Sequence, residues 1–252
     1  MNQHKRTALI TGAGKGVGAG IARVISAQGV RICLNYNSSE EMAQKTLEQI
    51  QSAGGEAFLY KADVSDRQQV REMVDETVRR FGSLDILVNN AALQPNRFID
   101  EYDAERFFWL WNINIGGYVR ATQECLPYLR TSGTGRIINV SSVHGKRPSV
   151  FDPGYAMTKG AIRMFTREAA LELAKDGITV NCIDLGACKI EFKTGHFRFR
   201  TTWFPDERPN AGMPLGVTYP EDVGNLVSYL ISPAAQKMTG AGIRLDGGAM
   251  LT

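Results

Sequence analysis

The sequence predicts an α/β fold: a single domain over residues 1–252, with a doubly wound, seven-stranded parallel sheet and helices on both faces. Two observations predict it. Short apolar runs rich in β-branched residues alternate with longer amphipathic stretches, which is typical of successive strand–helix–strand units. Two of the short runs, LDILV at 84–88 and RIINV at 136–140, are apolar almost throughout. Strands that are buried on both faces have this composition.

The elements follow one another in a regular order. We expect strands at residues 7–11, 31–36, 56–61, 84–89, 135–141, 178–183 and 242–246. We expect the helices between them at residues 17–28, 40–53, 66–81, 104–129, 155–175 and 221–231. Ser39 and the Ser65-Asp66 pair stand where N-cap residues would begin two of these helices.

One stretch, residues 188–217, breaks the alternation. It has no clean period and is rich in Phe, Arg, Thr and Pro. Because it follows the carboxyl end of the sixth strand, where ligands bind in open α/β sheets, we expect a substrate-loop insertion there. Two interpretations of its alternating basic and aromatic residues stay open: they grip an anionic or polyhydroxylated substrate, or they form a solvated lid whose aromatic side packs inward. These residues are Lys193, His196, Arg198 and Arg200, alternating with Phe192, Phe197 and Phe199.

Composition and charge argue against several classes of function. The net charge is only +3 and the basic residues are scattered, so there is no electrostatic footprint for nucleic acid. No apolar run approaches the ~20 residues of a membrane span, and Gly12 and Gly14 interrupt any signal-peptide stretch. The four cysteines form neither a CxxC pair nor a zinc pattern. We expect a cytoplasmic protein with reduced thiols, no metal and a small-molecule substrate.

A glycine-rich turn, TGAGKGVG at residues 11–18, follows the first strand and leads into the first helix. Gly12 can take a tight turn that a Cβ would obstruct. Gly16 and Gly18, on either side of Val17, let the backbone approach a ligand closely. The helix N-terminus adds N–H groups and a partial positive charge. The turn predicts a diphosphate site, with a plain glycine-rich loop as the alternative.

A YxxxK pair, Tyr155 and Lys159, begins a predicted helix. Residues four apart share a helix face, so the ammonium group can lie near the phenol and lower its pKa. Tyr155 would then serve as a general base for an alcohol or a general acid for a ketone. Ser142, at the end of the fifth strand, can hydrogen-bond the substrate oxygen. The alternatives are a surface Tyr–Lys pair and a turn-forming serine.

These motifs, in this order, resemble the short-chain dehydrogenase/reductase family over nearly the whole chain. Glycines 12, 16 and 18 give its TGxxxGxG spacing, and LDGG at 245–248 gives its C-terminal motif. NNAA at 89–92 resembles the family's NNAG, with Ala92 in place of glycine. The resemblance implies a Rossmann fold, an NAD(P) cofactor and hydride transfer between the cofactor and an alcohol or carbonyl substrate. It also implies a homotetramer with helices 104–129 and 155–175 as contact faces.

The resemblance also implies roles for individual residues. Asn114 completes the catalytic set with Ser142, Tyr155 and Lys159, binding a water through its backbone, and Lys159 holds the nicotinamide ribose. Cofactor contacts are implied for Asp63, Val64, Asn90, Ala91 and Gly186. The family's PGxxxT segment has lost its proline and threonine here, at Leu185 and Ile190. Because that threonine holds the nicotinamide carboxamide in the family, the cofactor is expected to be held differently there.

The residues after the second strand bear on the choice of cofactor. No carboxylate stands at Tyr36, so nothing there would repel a 2′-phosphate. Lys15 resembles the basic residue of family members that use NADP, although Asn37 stands where some of them place an arginine. The sequence favours NADP and leaves NAD open.

Residues 141–160 and the LNYNS stretch resemble glucose-type sugar dehydrogenases. His144, Gln94 and Asn96 are candidates to contact a substrate, with a polar loop as the alternative for His144. We expect a sugar or polyol substrate. The alternatives are a reductase of 3-oxoacyl thioesters or other small ketones, and a non-catalytic NAD(P)-binding sensor or scaffold.

Overall fold

The computed structural model describes residues 5–148, 152–190 and 213–251. Within them, seven strands form one parallel sheet in the order β3-β2-β1-β4-β5-β6-β7. The predicted doubly wound fold is therefore confirmed. The strands are β1 (Thr7–Ile10), β2 (Arg31–Tyr36), β3 (Ala57–Lys61), β4 (Ile86–Asn89), β5 (Arg136–Ser142), β6 (Thr179–Leu185) and β7 (Gly242–Leu245).

Helices cover both faces of the sheet because the strands are apolar on both. Successive residues of β1 point to opposite sides, so that Ala8 and Ile10 join one core cluster and Leu9 joins the other. Helices α1, α2 and α7 pack on the first face, and α3, α5 and α6 on the second. The helices are α1 (Gly16–Ser26), α2 (Glu40–Ser52), α3 (Arg67–Phe81), α4 (Ala104–Trp111), α5 (Gly117–Thr131), α6 (Pro153–Leu173) and α7 (Pro220–Ile231).

The single helix predicted at 104–129 is interrupted. A π-helical turn, Asn112–Gly116, separates α4 from α5. A π turn adds a residue to the helical ladder and is common at functional sites. Gly117 then passes close to Val64, because a Cβ on that glycine would lie 2.8 Å from a Val64 methyl group. The interruption therefore brings the start of α5 against the loop that follows β3.

The predicted helix starts differ in how they are capped. Asp66 caps α3, because its carboxylate accepts hydrogen bonds from the backbone N–H groups of Gln68 and Gln69. Ser39 is the N-cap residue of α2, which begins at Glu40 as predicted, although its side chain makes no capping hydrogen bond. Asp152 caps α6 in front of Pro153, a residue well suited to the first helical position.

The order in which the strands are laid down changes direction between β1 and β4: β2 and β3 extend the sheet on the side of β1, and β5, β6 and β7 extend it on the side of β4. Open α/β sheets bind ligands at the carboxyl end of such a switch point. The described ends of the irregular stretch, residues 188–190 and 213–217, follow β6 and precede α7. Its ends come together through a parallel bridge between Cys188 and Thr218. Its seven basic and aromatic residues named above, from Phe192 to Arg200, lie outside the described residues. Among the helices of the described ranges, none combines the length and apolarity needed to cross a bilayer.

Candidate active site

The glycine-rich turn is tied to both neighbouring strands. Gly12 has a left-handed backbone, with φ of 64°, and its N–H donates to the side-chain oxygen of Asn35 over 3.1 Å. Asn90, after β4, donates from its amide nitrogen to the carbonyl oxygens of Thr11 and Gly12 over 2.9 and 3.0 Å. The Thr11 hydroxyl in turn accepts the N–H of Ala91 over 3.1 Å. The turn is thus held rigidly at the switch point of the sheet.

The start of α1 fits an anionic group. The helix begins at Gly16, also left-handed with φ of 59°, and its N-cap residue Lys15 makes no side-chain capping bond to the first-turn amides. Such N–H groups are ready donors to a diphosphate. Gly18 has a packing role besides the one expected. A Cβ there would lie 2.6 Å from the Gly12 carbonyl oxygen, so its small size is needed for packing inside the turn, and its approach to a ligand stays a prediction.

The residues predicted for the adenosine end of the cofactor lie together. Tyr36 ends β2 and is buried, while Asn37 is exposed and donates to the carboxylate of Asp63 over 3.2 Å. Val64, the next residue after Asp63, is buried against Gly117. The Asp63 carboxylate therefore lies beside Asn37. The residues next to Tyr36 in the sequence gave no sign of this carboxylate.

The predicted catalytic side chains converge at the carboxyl end of β5. The Ser142 hydroxyl faces the Tyr155 phenol closely enough to lower its pKa. One helical turn further, the Nζ of Lys159 lies 5.5 Å from the centre of the Tyr155 ring. Lys159 is only 2% exposed, and its Nζ donates to the carbonyl oxygen of Val140 over 2.8 Å. This arrangement can orient a substrate oxygen and exchange a proton with it.

Burial dominates the acid–base properties of this cluster. It raises the pKa of Tyr155 to about 12; the Asp152 charge adds to the increase and the Ser142 hydrogen bond opposes it. Burial also lowers the pKa of Lys159 to about 7. The expected lowering of the Tyr155 pKa by Lys159 is not found, because desolvation disfavours the charged forms of both groups. At neutral pH the phenol is therefore protonated and able to donate a proton.

Tyr118 was missed by the sequence reasoning. Its ring is buried, its hydroxyl donates to the same Val140 carbonyl oxygen over 2.9 Å, and the Nζ of Lys159 lies 5.7 Å from the ring centre. The only sequence signal was its position four residues after Asn114, on the same side of a helix.

Asn114, in the π turn, joins two parts of the site through its side chain. Its Oδ1 accepts the N–H of Leu93 over 2.8 Å, and its Nδ2 donates to the Leu93 carbonyl over 2.9 Å and to the Thr158 hydroxyl over 3.1 Å. The Thr158 hydroxyl donates to the Tyr155 carbonyl over 2.7 Å. Asn114 thus ties the loop after β4 to the catalytic helix, beside the backbone role that the resemblance implies.

Asp152 was also missed. Its side chain accepts the Tyr155 N–H over 2.8 Å, the Asn96 N–H over 2.8 Å and the Tyr102 hydroxyl over 2.6 Å. Its position before Pro153, at a helix start, was a signal for an N-cap but gave no hint of the other two partners.

The three substrate candidates border this cluster. Gln94 is exposed and donates from its amide to the side-chain oxygen of Asn96 over 3.0 Å. Asn96 has a left-handed backbone, with φ of 54°, and is held by Asp152. The backbone N–H of His144 donates to the Ser142 hydroxyl over 3.2 Å, and partial burial lowers the pKa of its ring.

The segment that begins at the end of β6 differs from the family's PGxxxT pattern at Leu185 and Ile190. Gly186 donates its N–H to Leu245 over 2.9 Å, and a Cβ there would lie 2.6 Å from Asp246. Leu185 is buried as the last residue of β6. A methyl group of Ile190 lies 3.4 Å from the position that a Gly16 Cβ would take. An apolar contact with the glycine-rich turn therefore stands where the family has a threonine hydroxyl.

Comparisons with known proteins agree with this architecture. A model of the short chain dehydrogenase family matches residues 6–199. A 3β-hydroxysteroid dehydrogenase 1 of Eggerthella lenta is 35% identical over 248 residues, covering 98% of this chain and 94% of the relative. The 3-oxoacyl-[acyl-carrier-protein] reductase FabG of Staphylococcus aureus is 32% identical over 244 residues, covering 96% and 97%.

A solved structure is similar over the same length. The short chain dehydrogenase from Burkholderia cenocepacia J2315, determined in complex with NADP, superposes with a TM-score of 0.87 at 30% identity and covers 98% of each chain. The protein therefore belongs to the short chain dehydrogenase family of oxidoreductases.

Proposed function

We propose that this protein is an NADP-dependent oxidoreductase that interconverts an alcohol and a carbonyl compound. The observation that carries the proposal is the buried cluster at the end of β5. There the Ser142 hydroxyl faces the Tyr155 phenol and influences its pKa, and the Nζ of Lys159 lies 5.5 Å from the centre of the Tyr155 ring. A phenol, a hydroxyl and an amine arranged in this way serve proton exchange at a substrate oxygen.

Each residue has a distinct task in the proposed reaction. In reduction, Tyr155 donates its proton to the carbonyl oxygen while Ser142 orients that oxygen; in oxidation, Tyr155 takes the proton back. Lys159 then supplies a new proton to the Tyr155 phenol. Asn114 holds the start of α6 in place through its hydrogen bond to Thr158. The nicotinamide, when bound, supplies or accepts the hydride.

The chain provides a fitting set of residues for the cofactor. The diphosphate would lie on the turn formed by Gly12, Gly16, Val17 and Gly18, and the adenosine near Asp63 and Val64. Asn90, Ala91, Gly186 and Lys159 would border the nicotinamide end. Lys15 and the absence of a carboxylate at Tyr36 favour NADP, which the Burkholderia relative also holds. NAD is the second candidate, and the Asp63 carboxylate beside Asn37 favours it.

The first substrate candidate is a sugar or polyol. Gln94, Asn96 and His144 would offer it hydrogen-bonding groups, and the substrate-loop insertion at 188–217 would complete the cleft of this single-domain enzyme. The second is a small ketone or 3-oxoacyl thioester. The raised pKa of Tyr155 keeps its phenol protonated and able to donate to a carbonyl oxygen, and relatives include an acyl-carrier-protein reductase and a hydroxysteroid dehydrogenase. The presence of Ser142, Tyr155 and Lys159 together argues against a non-catalytic sensor or scaffold.

A substrate panel tests the proposal. The purified protein would be given aldoses, polyols, small ketones and 3-oxoacyl thioesters with each nicotinamide cofactor, and absorbance of the reduced cofactor would be followed. Turnover of aldoses or polyols with NADP is the expected result. Turnover of acyl thioesters alone would exclude the sugar assignment, and cofactor binding without turnover of any alcohol or carbonyl compound would exclude an oxidoreductase acting on these substrates.

We also propose a homotetramer in the cytoplasm. Exposed apolar side chains mark the helices expected at the contacts: Phe108 and Trp109 on α4 are 67% and 51% exposed, and Met157, Met164 and Leu171 follow one another at seven-residue spacing on α6. Apolar area of this kind commonly marks an interface. Light scattering that gives the mass of a monomer at working concentration would contradict the tetramer.

A further inference from the structure

A buried carboxylate sits at the junction of the catalytic helix and the loop after β4. Asp152 is only 1% exposed, and its two oxygens accept from three donors on separate parts of the chain. Oδ1 accepts from the Tyr155 N–H and the Tyr102 hydroxyl, and Oδ2 accepts from the Asn96 N–H. A buried carboxylate needs several donors to offset its lost hydration. The three bonds therefore fasten these parts to one another.

The loop at 93–102 is held to α6 at two points. Asn114 binds both backbone groups of Leu93 and reaches α6 through Thr158. Asp152 provides the second point at Asn96, whose backbone is left-handed although it is not a glycine. A non-glycine residue in that region is strained and persists only where its surroundings hold it.

Tyr102 fills the remaining side of the junction. Its ring packs against the first turn of α6 so closely that a Cβ on Gly154 would lie 2.6 Å from the ring and its hydroxyl. Burial and the Asp152 carboxylate raise the pKa of the Tyr102 phenol well above its usual range, so it remains a donor. The glycine next to Tyr155 thus leaves room for the tyrosine that bonds Asp152.

We propose that Asp152, with Tyr102 as its partner, is a positioning residue that fixes the catalytic Tyr155 and the loop carrying Gln94 and Asn96 relative to each other. The inference rests on the proposed function of Tyr155. Asp152 acts through other residues and touches no reacting atom. It sets where the proton donor lies with respect to the wall of the substrate cleft.

The charge on Asp152 has a separate effect from its hydrogen bonds. The charge disfavours the phenolate of Tyr155 and so raises its pKa. Of the other groups near this junction, Arg97 lies within charge–charge range of Tyr102. Around the Tyr155 phenol lie Ser142 on β5, Lys159 on α6, Tyr118 on α5 and, behind Lys159, Cys182 on β6.

Two variants separate the two effects. Asp152→Asn keeps the shape but removes the charge, and its amide nitrogen presents a donor where a donor already lies. Tyr102→Phe removes one hydrogen bond and leaves the charge. Asp103→Asn, at the exposed cap of α4, is the matched control, because it changes a capping aspartate that bonds only the next helix turn among the contacts described.

We expect both site variants to raise the KM for the carbonyl or alcohol substrate at least about fivefold, with the cofactor Kd unchanged. Hydrogen exchange in the cofactor-free protein should become faster at the Asn96 and Tyr155 amides in both. Only Asp152→Asn should shift the limb of the kcat/KM profile that reports on Tyr155, which is the alkaline limb in reduction and the acid limb in oxidation, and the shift should be to lower pH. Asp103→Asn should change none of these quantities.

The outcomes distinguish this inference from the proposed function. If wild-type protein binds cofactor but turns over nothing, the proposed function fails while amide exchange still reports on the junction. If wild-type protein is active and the two site variants keep the wild-type KM and exchange rates, the positioning role is refuted. A drop in melting temperature with unchanged KM and pH profile in the folded variants would also refute it, because it would leave Asp152 a merely structural cap.

Discussion

The Nζ of Lys159 donates a hydrogen bond of 2.8 Å to the carbonyl oxygen of Val140, which lies two residues before Ser142 on β5. The hydroxyl of Tyr118 donates to the same oxygen over 2.9 Å. The Val140 carbonyl oxygen therefore accepts two hydrogen bonds, one from Lys159 on α6 and one from Tyr118 on α5. The position of the amine next to Tyr155 depends on this shared acceptor.

Removal of the second donor tests that dependence. In Tyr118→Phe the Val140 oxygen keeps only Lys159, and the buried hydrogen bond is lost. We expect the free energy of unfolding to fall by about 1 kcal/mol and kcat to fall severalfold with the cofactor Kd unchanged. Urea denaturation and steady-state kinetics measure both, with Tyr229→Phe on the exposed face of α7 as control. A variant with normal kcat would show that Lys159 needs no support from Tyr118.

The buried lysine predicts a pH dependence of stability without cofactor. The folded pKa of Lys159 is about 7 against a usual 10.5, so between these values the unfolded chain binds a proton there that the folded chain does not. This contribution to stability is present above the usual lysine pKa and is lost as pH falls toward 7. Wild-type stability should therefore rise from about pH 7 to about pH 10, relative to Lys159→Met, by at most ~1.4 kcal/mol per pH unit.

Paired urea titrations of the two proteins at each pH measure the difference. At about pH 7 the methionine variant should be the more stable of the two, and its advantage should shrink as pH rises. A stability difference that stays constant across this range would contradict a lowered pKa for Lys159.

Gly18 offers a test of packing in the glycine-rich turn. A Cβ there would approach the Gly12 carbonyl oxygen to 2.6 Å, so Gly18→Ala should destabilise the cofactor-free protein by about 1–3 kcal/mol. Gly160→Ala is the control, because its Cβ would meet nothing nearer than 3.6 Å and alanine favours the helix interior by up to about 1 kcal/mol. Thermal unfolding of both variants without cofactor measures whether Gly18→Ala alone loses stability. Loss of cofactor affinity with unchanged stability would show that Gly18 faces the ligand after all.

The cofactor preference can be inverted at the end of β2. A carboxylate in Tyr36→Asp would repel a 2′-phosphate and can accept from a 2′-hydroxyl. We expect NADP to bind at least tenfold more weakly and NAD at least as tightly as before, measured by calorimetric titration of both cofactors. Lys15→Ala, which removes a charge without adding one, should weaken NADP alone. Unchanged NADP affinity in both variants would contradict the proposed location of the 2′-phosphate.

The fold was predictable because its signals are local and repeated. Alternation along the chain gave all seven strands to within two residues at either end, and the order of Gly12, Ser142, Tyr155 and Lys159 gave the family. The π turn at Asn112–Gly116 escaped prediction, since a single added residue leaves the apolar pattern of a long helix nearly intact. Where this turn lies decides what Asn114 can reach.

The missed parts of the site depend on long-range contacts. The sequence indicates only that Asp152 can cap a helix, because its partners Asn96 and Tyr102 lie 56 and 50 residues away along the chain. The pKa of Tyr155 was mispredicted for a related reason. Spacing reveals that Lys159 is near, but the degree of burial, which dominates both pKa values, is a property of the whole fold.

The most direct test of the account is a comparison of Tyr155→Phe with wild type in a single-turnover reaction on the substrate found in the panel. Cofactor Kd and melting temperature, measured on the same preparations, establish that the variant folds and binds. If Tyr155 is the proton donor, the rate of hydride transfer should fall by about 10²–10⁴ while the cofactor Kd stays within about twofold. A variant that binds cofactor normally and transfers hydride at the wild-type rate would contradict the account.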